Sequence, residues 1–344
     1  TVVIKIGTTS LIQEGKLMES IVISLAQKIK ELQESHNFVI VTSGAVSLGA
    51  YELDYKSRPT SMKKLQVASS VGQIKLINEY QTIFSKYSLK IAQVLITKNL
   101  IDDREQFINT TQALNELLSQ NIIPVINEND IVATEELKFG DNDRLSAIVS
   151  IIVNASKLLI VTNKEGLYDF NPDKNSEAKV IDFIQYDSSQ LTDLIPISEH
   201  GEGQGGFSTK IMAAQMAGFS GIPTQIISWN DGALIDSVNE IKIGTLIKPS
   251  DKKVKLKKLW IAYGLQIIGK IIIDNGAVEA IKSDASLLSI GIKEIVKSFN
   301  SDDGIEIFDE QDNLIAKGVS KLDSMNISKK NNEILIHKDN LLIL

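Results

Sequence analysis

Short apolar runs alternate with longer amphipathic stretches along the first 250 residues of the chain. The apolar runs have the length of buried strands and cover 2–6, 38–41, 91–96, 122–126 and 158–161. Between them, apolar residues recur at helical spacing over 18–36, over 61–87 with a candidate break at Gly72, and from Asp103 to about Ser119. This alternation predicts an α/β fold: an αβα sandwich whose mainly parallel sheet carries helices on both faces.

The pattern changes after a lysine-rich stretch that follows Pro249. From 260 to 344, short runs of β-forming residues at 270–273, 305–308 and 333–337 alternate with turns. Because 344 residues exceed what one hydrophobic core usually fills, we predict two domains, 1–250 and a small β-rich domain at 260–344, joined by a linker at 251–259. We interpret the lysines as a solvated hinge; the alternative is contact with RNA.

The composition and charge of the chain argue against several classes of function. The net charge of −7 argues against generic binding to nucleic acids or membranes. The absence of cysteine excludes disulfides, thiolate nucleophiles and Cys-ligated zinc. The chain has three histidines, His36, His200 and His337, which are far apart in the sequence. This small number argues against a histidine metal site or a Ser-His-Asp triad. No apolar run reaches the roughly 20 residues of a spanning helix, and no export signal is visible after Thr1. A cytoplasmic setting, which fits the absence of cysteine, is our expectation.

Small and polar residues follow the apolar runs where the predicted strands end. Gly7, Ser43, Asn127 and Thr162 occupy such positions, and ligands of parallel sheets bind beyond the carboxyl ends of the strands. Lys5 interrupts the first run, and burying a lysine is costly unless it meets an anion. The sequence therefore predicts a ligand site at this edge; the alternative for Lys5 is an edge strand that exposes it to water.

A second polar cluster precedes an amphipathic helix. Asp141, Asn142 and Asp143 follow Gly140 and precede an apolar periodic run. All three side chains can cap a helix N-terminus, so capping alone is one interpretation. Three such residues exceed what capping needs, and the polar cluster at 127–130 ends a predicted strand upstream. Together the two clusters predict a small-molecule site.

A glycine-rich loop precedes a further helix. Residues 201–206 match the dinucleotide-binding glycine pattern, but no strand precedes them, so we reject that interpretation. Ser208, Thr209 and Lys210 open the helix, and a lysine at a helix N-terminus after a flexible loop predicts a phosphate site. The alternative is a mobile linker with a solvated lysine. No Walker A motif is present.

The motifs taken together resemble the amino acid kinase family, in its glutamate 5-kinase branch, followed by a PUA-type domain. The resemblance covers nearly the whole chain. The motifs are 5–10, 41–46, 71–73, 125–130, 139–143, 145–147, 166–168 and 205–210 in the first part, and 304–308 and 315–319 in the second. The segment after Ser324 is shorter than the family pattern, which leaves the completeness of the PUA fold open.

The resemblance implies transfer of the γ-phosphoryl group of ATP, with Mg²⁺ bound through ATP, to the side-chain carboxylate of L-glutamate. The product is glutamyl 5-phosphate, in the first step of proline synthesis. Carried over by position, the implied glutamate-binding residues are Ser43, Asp130 and Asn142, supported by Asn127. The implied catalytic residues are Lys5 and Lys210 at the phosphates and Asp143, which orients both lysines. The implied nucleotide-binding residues are Lys5, Thr162, Asn163, Gln204, Gly205, Gly206, Phe207, Ser208, Thr209 and Lys210.

The chemistry agrees with this assignment independently. A side-chain carboxylate with a reference pKa of about 4.3 is ionised at neutral pH, so phosphoryl transfer to it needs no general base. Asp130 suits the substrate ammonium, and Asn142 suits a carboxylate. Three positions depart from the family pattern: Asn163 replaces aspartate, Gln204 replaces threonine and Phe207 replaces methionine. We expect activity despite them, because Lys5, Asp143 and Lys210 are unaffected.

Two alternative functions compete with this expectation. The first is a kinase of the same family that acts on N-acetylglutamate, aspartate, carbamate or UMP; the motifs around 127–143 argue against it. The second is a non-catalytic RNA-binding or regulatory protein, which would rest on the PUA-like part; the acidic net charge and the retained lysines argue against it. The resemblance also implies a homo-oligomer and feedback inhibition by proline, and no membrane partner is expected.

Overall fold

A mainly parallel sheet organises the larger part of this computed structural model. The structure describes residues 1–97, 100, 103–132, 142–170, 175–193, 207–230, 232–241, 243–251, 258, 261–262, 265–327 and 332–343. The chain divides into two compact units: Thr1–Leu100 with Arg104–Lys253, and Ile101–Asp103 with Val254–Leu344. Among the described residues, no helix has the length and apolar character needed to cross a membrane.

The first unit alternates strands and helices, as predicted. Its strands are β1 (Val2–Ile6), β2 (Ile12–Gln13), β3 (Lys16–Leu17), β4 (Phe38–Val41), β5 (Lys90–Ile96), β6 (Ile122–Glu128), β7 (Lys157–Thr162), β8 (Phe183–Gln185), β9 (Thr224–Ser228) and β10 (Thr245–Lys248). Its helices are α1 (Thr8–Leu11), α2 (Glu19–Leu32), α3 (Ala45–Glu52), α4 (Met62–Lys86), α5 (Arg104–Ser119), α6 (Asp143–Ile152), α7 (Ser189–Asp193), α8 (Phe207–Phe219) and α9 (Ala233–Val238). The hairpin β2–β3 and the short helix α1 were not predicted.

The described strands of the main sheet lie in the order β5-β6-β4-β1-β7-β9-β10-β8. Neighbours from β5 to β9 are parallel, and β10 runs antiparallel to β9. On one face, Ile4 and Ile40 pack in a core with Leu25 of α2 and Leu76 of α4, while α6 packs on β1 and β7 from the other. The α/β sandwich is therefore confirmed.

The position of β1 decides between the two interpretations of Lys5. β1 pairs with β4 on one side and with β7 on the other, so it is a central strand. All five of its residues are buried, and Lys5 is 2% exposed. The edge-strand interpretation is wrong, because both sides of the strand are occupied by backbone pairing.

Helices α3 and α4 approach each other through two glycines. A Cβ atom on Gly72 would lie 1.9 Å from the Ala45 carbonyl oxygen, and one on Gly49 would lie 1.7 Å from the Ala68 carbonyl oxygen. α4 is continuous from Met62 to Lys86, so the candidate break at Gly72 is wrong. The glycine serves a close helix–helix contact, which holds the start of α3 in place.

We expect Gly72→Ala to lower the free energy of unfolding by about 1–3 kcal/mol through this overpacking. At a helix position without close neighbours, the same change would stabilise the protein by roughly 0.5–1 kcal/mol. The sign of the change in unfolding free energy therefore shows whether the close contact exists. Urea unfolding measures the difference, with Ser70→Ala on the exposed face of α4 as the matched control. A stabilised Gly72→Ala protein would contradict the close contact.

The second unit is β-rich, as predicted. Its elements are β11 (Ile267–Ile273), α10 (Asn275–Lys282), β12 (Leu287–Leu288), β13 (Ile292–Lys297), β14 (Gly304–Phe308), β15 (Leu314–Val319), β16 (Ile334–Ile336) and β17 (Leu341–Ile343). One sheet has the order β13-β11-β14-β15-β17, and β12 pairs with β16. Its core includes Ile271, Ile281, Ile307 and Leu335. Asp274 caps α10 by accepting a hydrogen bond from the Ala277 N–H at 2.7 Å.

Candidate functional site

The carboxyl ends of four neighbouring parallel strands meet at one edge of the main sheet. β6, β4, β1 and β7 are consecutive there, and they end in the polar or small residues that the sequence singled out: Asn127, Ser43, Gly7 and Thr162. This edge is where an open parallel sheet binds ligands. The predicted residues of strands β1, β4 and β6 therefore belong to one region of the molecule.

Asp143 pairs with two lysines that come from distant parts of the chain. Its Oδ1 lies 2.6 Å from the Lys5 Nζ and its Oδ2 lies 3.1 Å from the Lys210 Nζ. The Thr209 hydroxyl donates to the same Oδ2 at 2.9 Å. Asp143 is fully buried, and a buried carboxylate requires such partners. Lysine ammonium groups at this edge of the sheet are suitable partners for an anionic ligand such as a phosphate.

Local structure explains how these side chains meet. Asp143 begins α6, which packs on β1 and against α8, and α8 carries Thr209 and Lys210 in its first turn. Asn142 occupies the N-cap position of α6 but makes no capping hydrogen bond with its side chain. For Asn142 the capping interpretation is therefore wrong, because its side chain is used in tertiary contacts.

The Asn142 amide belongs to a buried network at the ends of β4 and β6. Its Nδ2 donates to the Thr42 carbonyl oxygen and to the Asn127 Oδ1, both at 2.7 Å. Asn127 in turn donates from Nδ2 to the Gln73 Oε1 at 2.7 Å. The Thr42 carbonyl can only accept, so the orientation of the Asn142 amide is fixed. Both Nδ2 hydrogens are used, which leaves the Asn142 Oδ1 to accept a hydrogen bond from a ligand.

Helix α4 supports the site with polar residues that sequence reasoning did not assign. Ser69 donates a hydrogen bond to Asp130, and Gln73 holds Asn127. Farther along the helix, the Tyr80 hydroxyl lies 3.2 Å from the Thr42 Oγ1. Burial raises the pKa of Tyr80 to about 12, so the phenol remains protonated at neutral pH. Ser69, Gln73 and Tyr80 share one buried face, and polar residues at helical spacing among apolar ones were the available signal.

An open polar cleft lies beside the network. Ser43 is 3% exposed, and its hydroxyl has no hydrogen-bond partner within the described part of the chain. Gly44 adopts φ 106°, a left-handed conformation that favours glycine, and the N-terminus of α3 follows it. Free N–H groups at a helix N-terminus attract anions. The lining residues are Thr8, 43–47, Arg58, 127–128, Asp130 and Asn142.

The predicted nucleotide-binding residues are described only in part. Phe207, Ser208 and Thr209 form the first turn of α8, and Thr209 reaches Asp143. Thr162 ends β7, and its hydroxyl donates to the Asn163 Oδ1 at 3.3 Å. Gln204, Gly205 and Gly206 lie outside the described residues, as does Asp141. In the described part of the chain, no cluster of three or more histidine or acidic side chains could hold a metal ion.

Comparison with protein-family models identifies the family to which the chain belongs. The family model described as "Amino acid kinase family" matches residues 1–228, which is more than half of the chain. The chain belongs to the amino acid kinase family. The PUA domain model matches residues 269–337 of the same amino acid kinase. The resemblance inferred from the motifs is confirmed for both parts.

Relatives that match nearly the whole chain show which members of the family it resembles. This amino acid kinase is 39% identical over 355 residues to the glutamate 5-kinase of Prochlorococcus marinus (strain MIT 9301), covering 98% of each chain. It is 35% identical to the glutamate 5-kinase of Vibrio vulnificus (strain YJ016), covering 96% of this chain and 88% of the relative. A solved isopentenyl phosphate kinase is similar in fold, with a TM-score of 0.51 at 16% identity, covering 72% of this chain and 99% of that one.

Proposed function

We propose that this protein is a glutamate 5-kinase, which transfers the γ-phosphoryl group of ATP to the side-chain carboxylate of L-glutamate. The products are glutamyl 5-phosphate and ADP, and the reaction begins proline synthesis. The observation that carries the proposal is the pairing of Lys5 and Lys210 on buried Asp143 beside a polar cleft. It occurs in a chain whose relatives over the full length are glutamate 5-kinases.

The proposed reaction needs positioning and charge neutralisation. A side-chain carboxylate oxygen of glutamate attacks the γ-phosphorus, an O–P bond forms, and the bond to the β-phosphate oxygen breaks as ADP leaves. The nucleophile is already ionised, so no side chain has to remove a proton. Lys5 and Lys210 would stabilise the charge on the transferring oxygens, and Asp143 would hold both ammonium groups in place. Mg²⁺, entering as its complex with ATP, supplies further neutralisation at the phosphates.

The cleft supports recognition of the amino acid end of the substrate. Asp130 and the Asn142 Oδ1 are hydrogen-bond acceptors, which suits the α-ammonium group. The expectation from the sequence that Asn142 binds a carboxylate is replaced by this one, because both of its Nδ2 hydrogens are already donated to protein oxygens. Ser43 would contribute its unpartnered hydroxyl, and Asn127 would keep the Asn142 amide oriented.

We expect Asp130→Ala to raise the KM for L-glutamate by about 10- to 100-fold with a smaller effect on kcat, because it removes an ammonium partner. Steady-state kinetics with varied L-glutamate measures both constants. Asp187→Ala is the control, since Asp187 is exposed and follows β8 at the other edge of the sheet. An unchanged KM would remove Asp130 from the substrate site.

A panel of acceptors tests the proposed reaction. The assay measures ADP release with Mg²⁺ and ATP in the presence of L-glutamate, N-acetylglutamate, L-aspartate, carbamate or UMP, with hydroxylamine to trap any acyl phosphate. We expect hydroxamate with L-glutamate alone. Turnover with another acceptor would retain phosphoryl transfer and change the substrate. No turnover with any acceptor would reject the kinase and favour the non-catalytic alternative.

Several further expectations are proposed on the likeness to relatives alone. They are a homo-oligomeric state, feedback inhibition by proline and a cytoplasmic location. The contributions of Thr162, Asn163 and the segment 204–208 to nucleotide binding are proposed on the same ground. RNA binding by the PUA domain remains an alternative role for the second unit.

A further inference from the structure

Arg58 is the cationic side chain among the described residues that line the cleft. It lies in the segment between α3 and α4, directly before Pro59, and is exposed at the rim. Within the described part of the chain it forms no hydrogen bond or ion pair with another side chain. A guanidinium offers five N–H donors in a fixed fork that matches a carboxylate. Arg58 therefore brings an uncommitted carboxylate-binding group to the cleft.

The charges around Arg58 match one end of an amino acid. Partial burial lowers the pKa of Arg58, while the negative charge of Asp130 raises it. The two side chains therefore interact electrostatically without forming an ion pair. Arginine remains charged at neutral pH despite such shifts. A cation and an anion that line one cleft without neutralising each other suit a zwitterion. The α-carbon of an amino acid carries both a carboxylate and an ammonium group.

No other side chain among the described residues that line the cleft carries a positive charge. Both Nδ2 hydrogens of Asn142 are donated to protein oxygens, so Asn142 cannot donate to a carboxylate. Glu128 and Asp130 would repel one. Lys5 and Lys210 are paired with Asp143, where the proposed phosphoryl transfer takes place. Arg58 is therefore the side chain among the described lining residues that can neutralise a carboxylate away from the reacting end, in the same cleft as the N–H groups at the start of α3.

We infer that Arg58 binds the α-carboxylate of the amino acid substrate, beside the ammonium group that faces Asp130. The inference rests on the proposed function, because it takes glutamate as the ligand and places its side-chain carboxylate at Lys5 and Lys210. It makes Arg58 a specificity residue: substrates that lack a free α-carboxylate lose this partner.

Calorimetric titration tests the assignment without requiring turnover. L-Glutamate is compared with L-glutamic acid α-amide, which keeps the side-chain carboxylate and the amine but replaces the α-carboxylate with a neutral amide. The pH is 7, where most of the α-amine remains protonated. We expect the wild-type protein to bind L-glutamate roughly 10- to 100-fold more tightly than the amide, the effect of one charged hydrogen-bonded pair.

In Arg58→Ala this preference should fall to less than about threefold, because L-glutamate loses affinity while the α-amide does not. Arg58→Lys should restore part of it, since lysine retains the charge without the fork. Lys56→Ala is the matched control: Lys56 is exposed in the same segment and does not line the cleft. The comparison of two ligands separates recognition from misfolding, which would weaken both.

Each outcome bears on the inference. A wild-type protein that binds the two ligands equally, or an Arg58→Ala protein that keeps the full preference, would overturn the role of Arg58. Equal loss of affinity for both ligands would assign Arg58 a structural role and also overturn it. Preferential glutamate binding that depends on Arg58, in a protein without kinase turnover, would support Arg58 and reject the proposed phosphoryl transfer.

Discussion

We expect Lys210→Ala to lower kcat for glutamate-dependent ATP turnover by about 10²- to 10³-fold, with a KM for L-glutamate within about threefold of the wild-type value. The reason is geometric. Lys210 lies 3.1 Å from the Asp143 Oδ2 in the first turn of α8, at the phosphate-binding side of the proposed site. Its charge would act on oxygens that gain charge in the transition state, while the acceptors for the amino acid lie in the cleft.

Steady-state kinetics with varied L-glutamate and saturating MgATP measures this separation. Met212→Ala is the control, because Met212 is exposed on the same helix and its removal leaves the first turn intact. A normal kcat in Lys210→Ala would show that the lysine does not stabilise the transition state. A large rise in the glutamate KM with unchanged kcat would show that Lys210 binds glutamate and does not act on the transferring phosphoryl group.

Asp143→Asn should abolish most of the turnover and also destabilise the first unit. Asp143 is fully buried and pairs with Lys5, whose side chain is 3% exposed, and with Lys210. Removing one partner of a buried ion pair leaves an uncompensated charge, which costs about 3–5 kcal/mol. Urea unfolding measures the stability, and the turnover assay measures the loss of activity.

A double variant separates the two effects of Asp143. In Asp143→Asn with Lys5→Met, the buried ammonium group is absent, so we expect much of the lost stability to return. Turnover should stay low, because both the lysine and the carboxylate that holds Lys210 are gone. Recovery of activity along with stability would show that the Asp143 cluster is only structural. Full stability in the single variant Asp143→Asn would contradict the buried pairing.

The strands of the sheet were predictable because they are buried on both faces. Runs such as 38–41 and 158–161 consist of apolar residues, which parallel strands require. The polar residues at their ends followed from the same pattern. Lys5 remained ambiguous in the sequence, because the order of strands in a sheet depends on long-range pairing. Once β4 and β7 enclose β1, Lys5 has to meet an anion, and Asp143 provides it.

Contacts between distant segments account for what the sequence did not predict. Gly72 breaks no helix, because its lack of a side chain serves the approach of α3, which adjoins the cleft. Asn142 stands at an N-cap position, yet its side chain joins Thr42 and Asn127 instead. Arg58 lies in a polar segment without periodicity, where no local pattern marks it. Tertiary contacts override local preferences at Gly72 and Asn142, whereas the chain path alone brings Arg58 to the cleft.

The most direct test of glutamate phosphorylation follows an oxygen atom. L-Glutamate labelled with ¹⁸O in both side-chain carboxylate oxygens is incubated with MgATP, the protein and hydroxylamine. If a carboxylate oxygen attacks the γ-phosphorus, hydroxylamine then breaks the C–O bond and releases phosphate that carries one ¹⁸O atom. We expect singly labelled phosphate by mass spectrometry. Unlabelled phosphate would mean that water, and not the glutamate side chain, accepts the phosphoryl group.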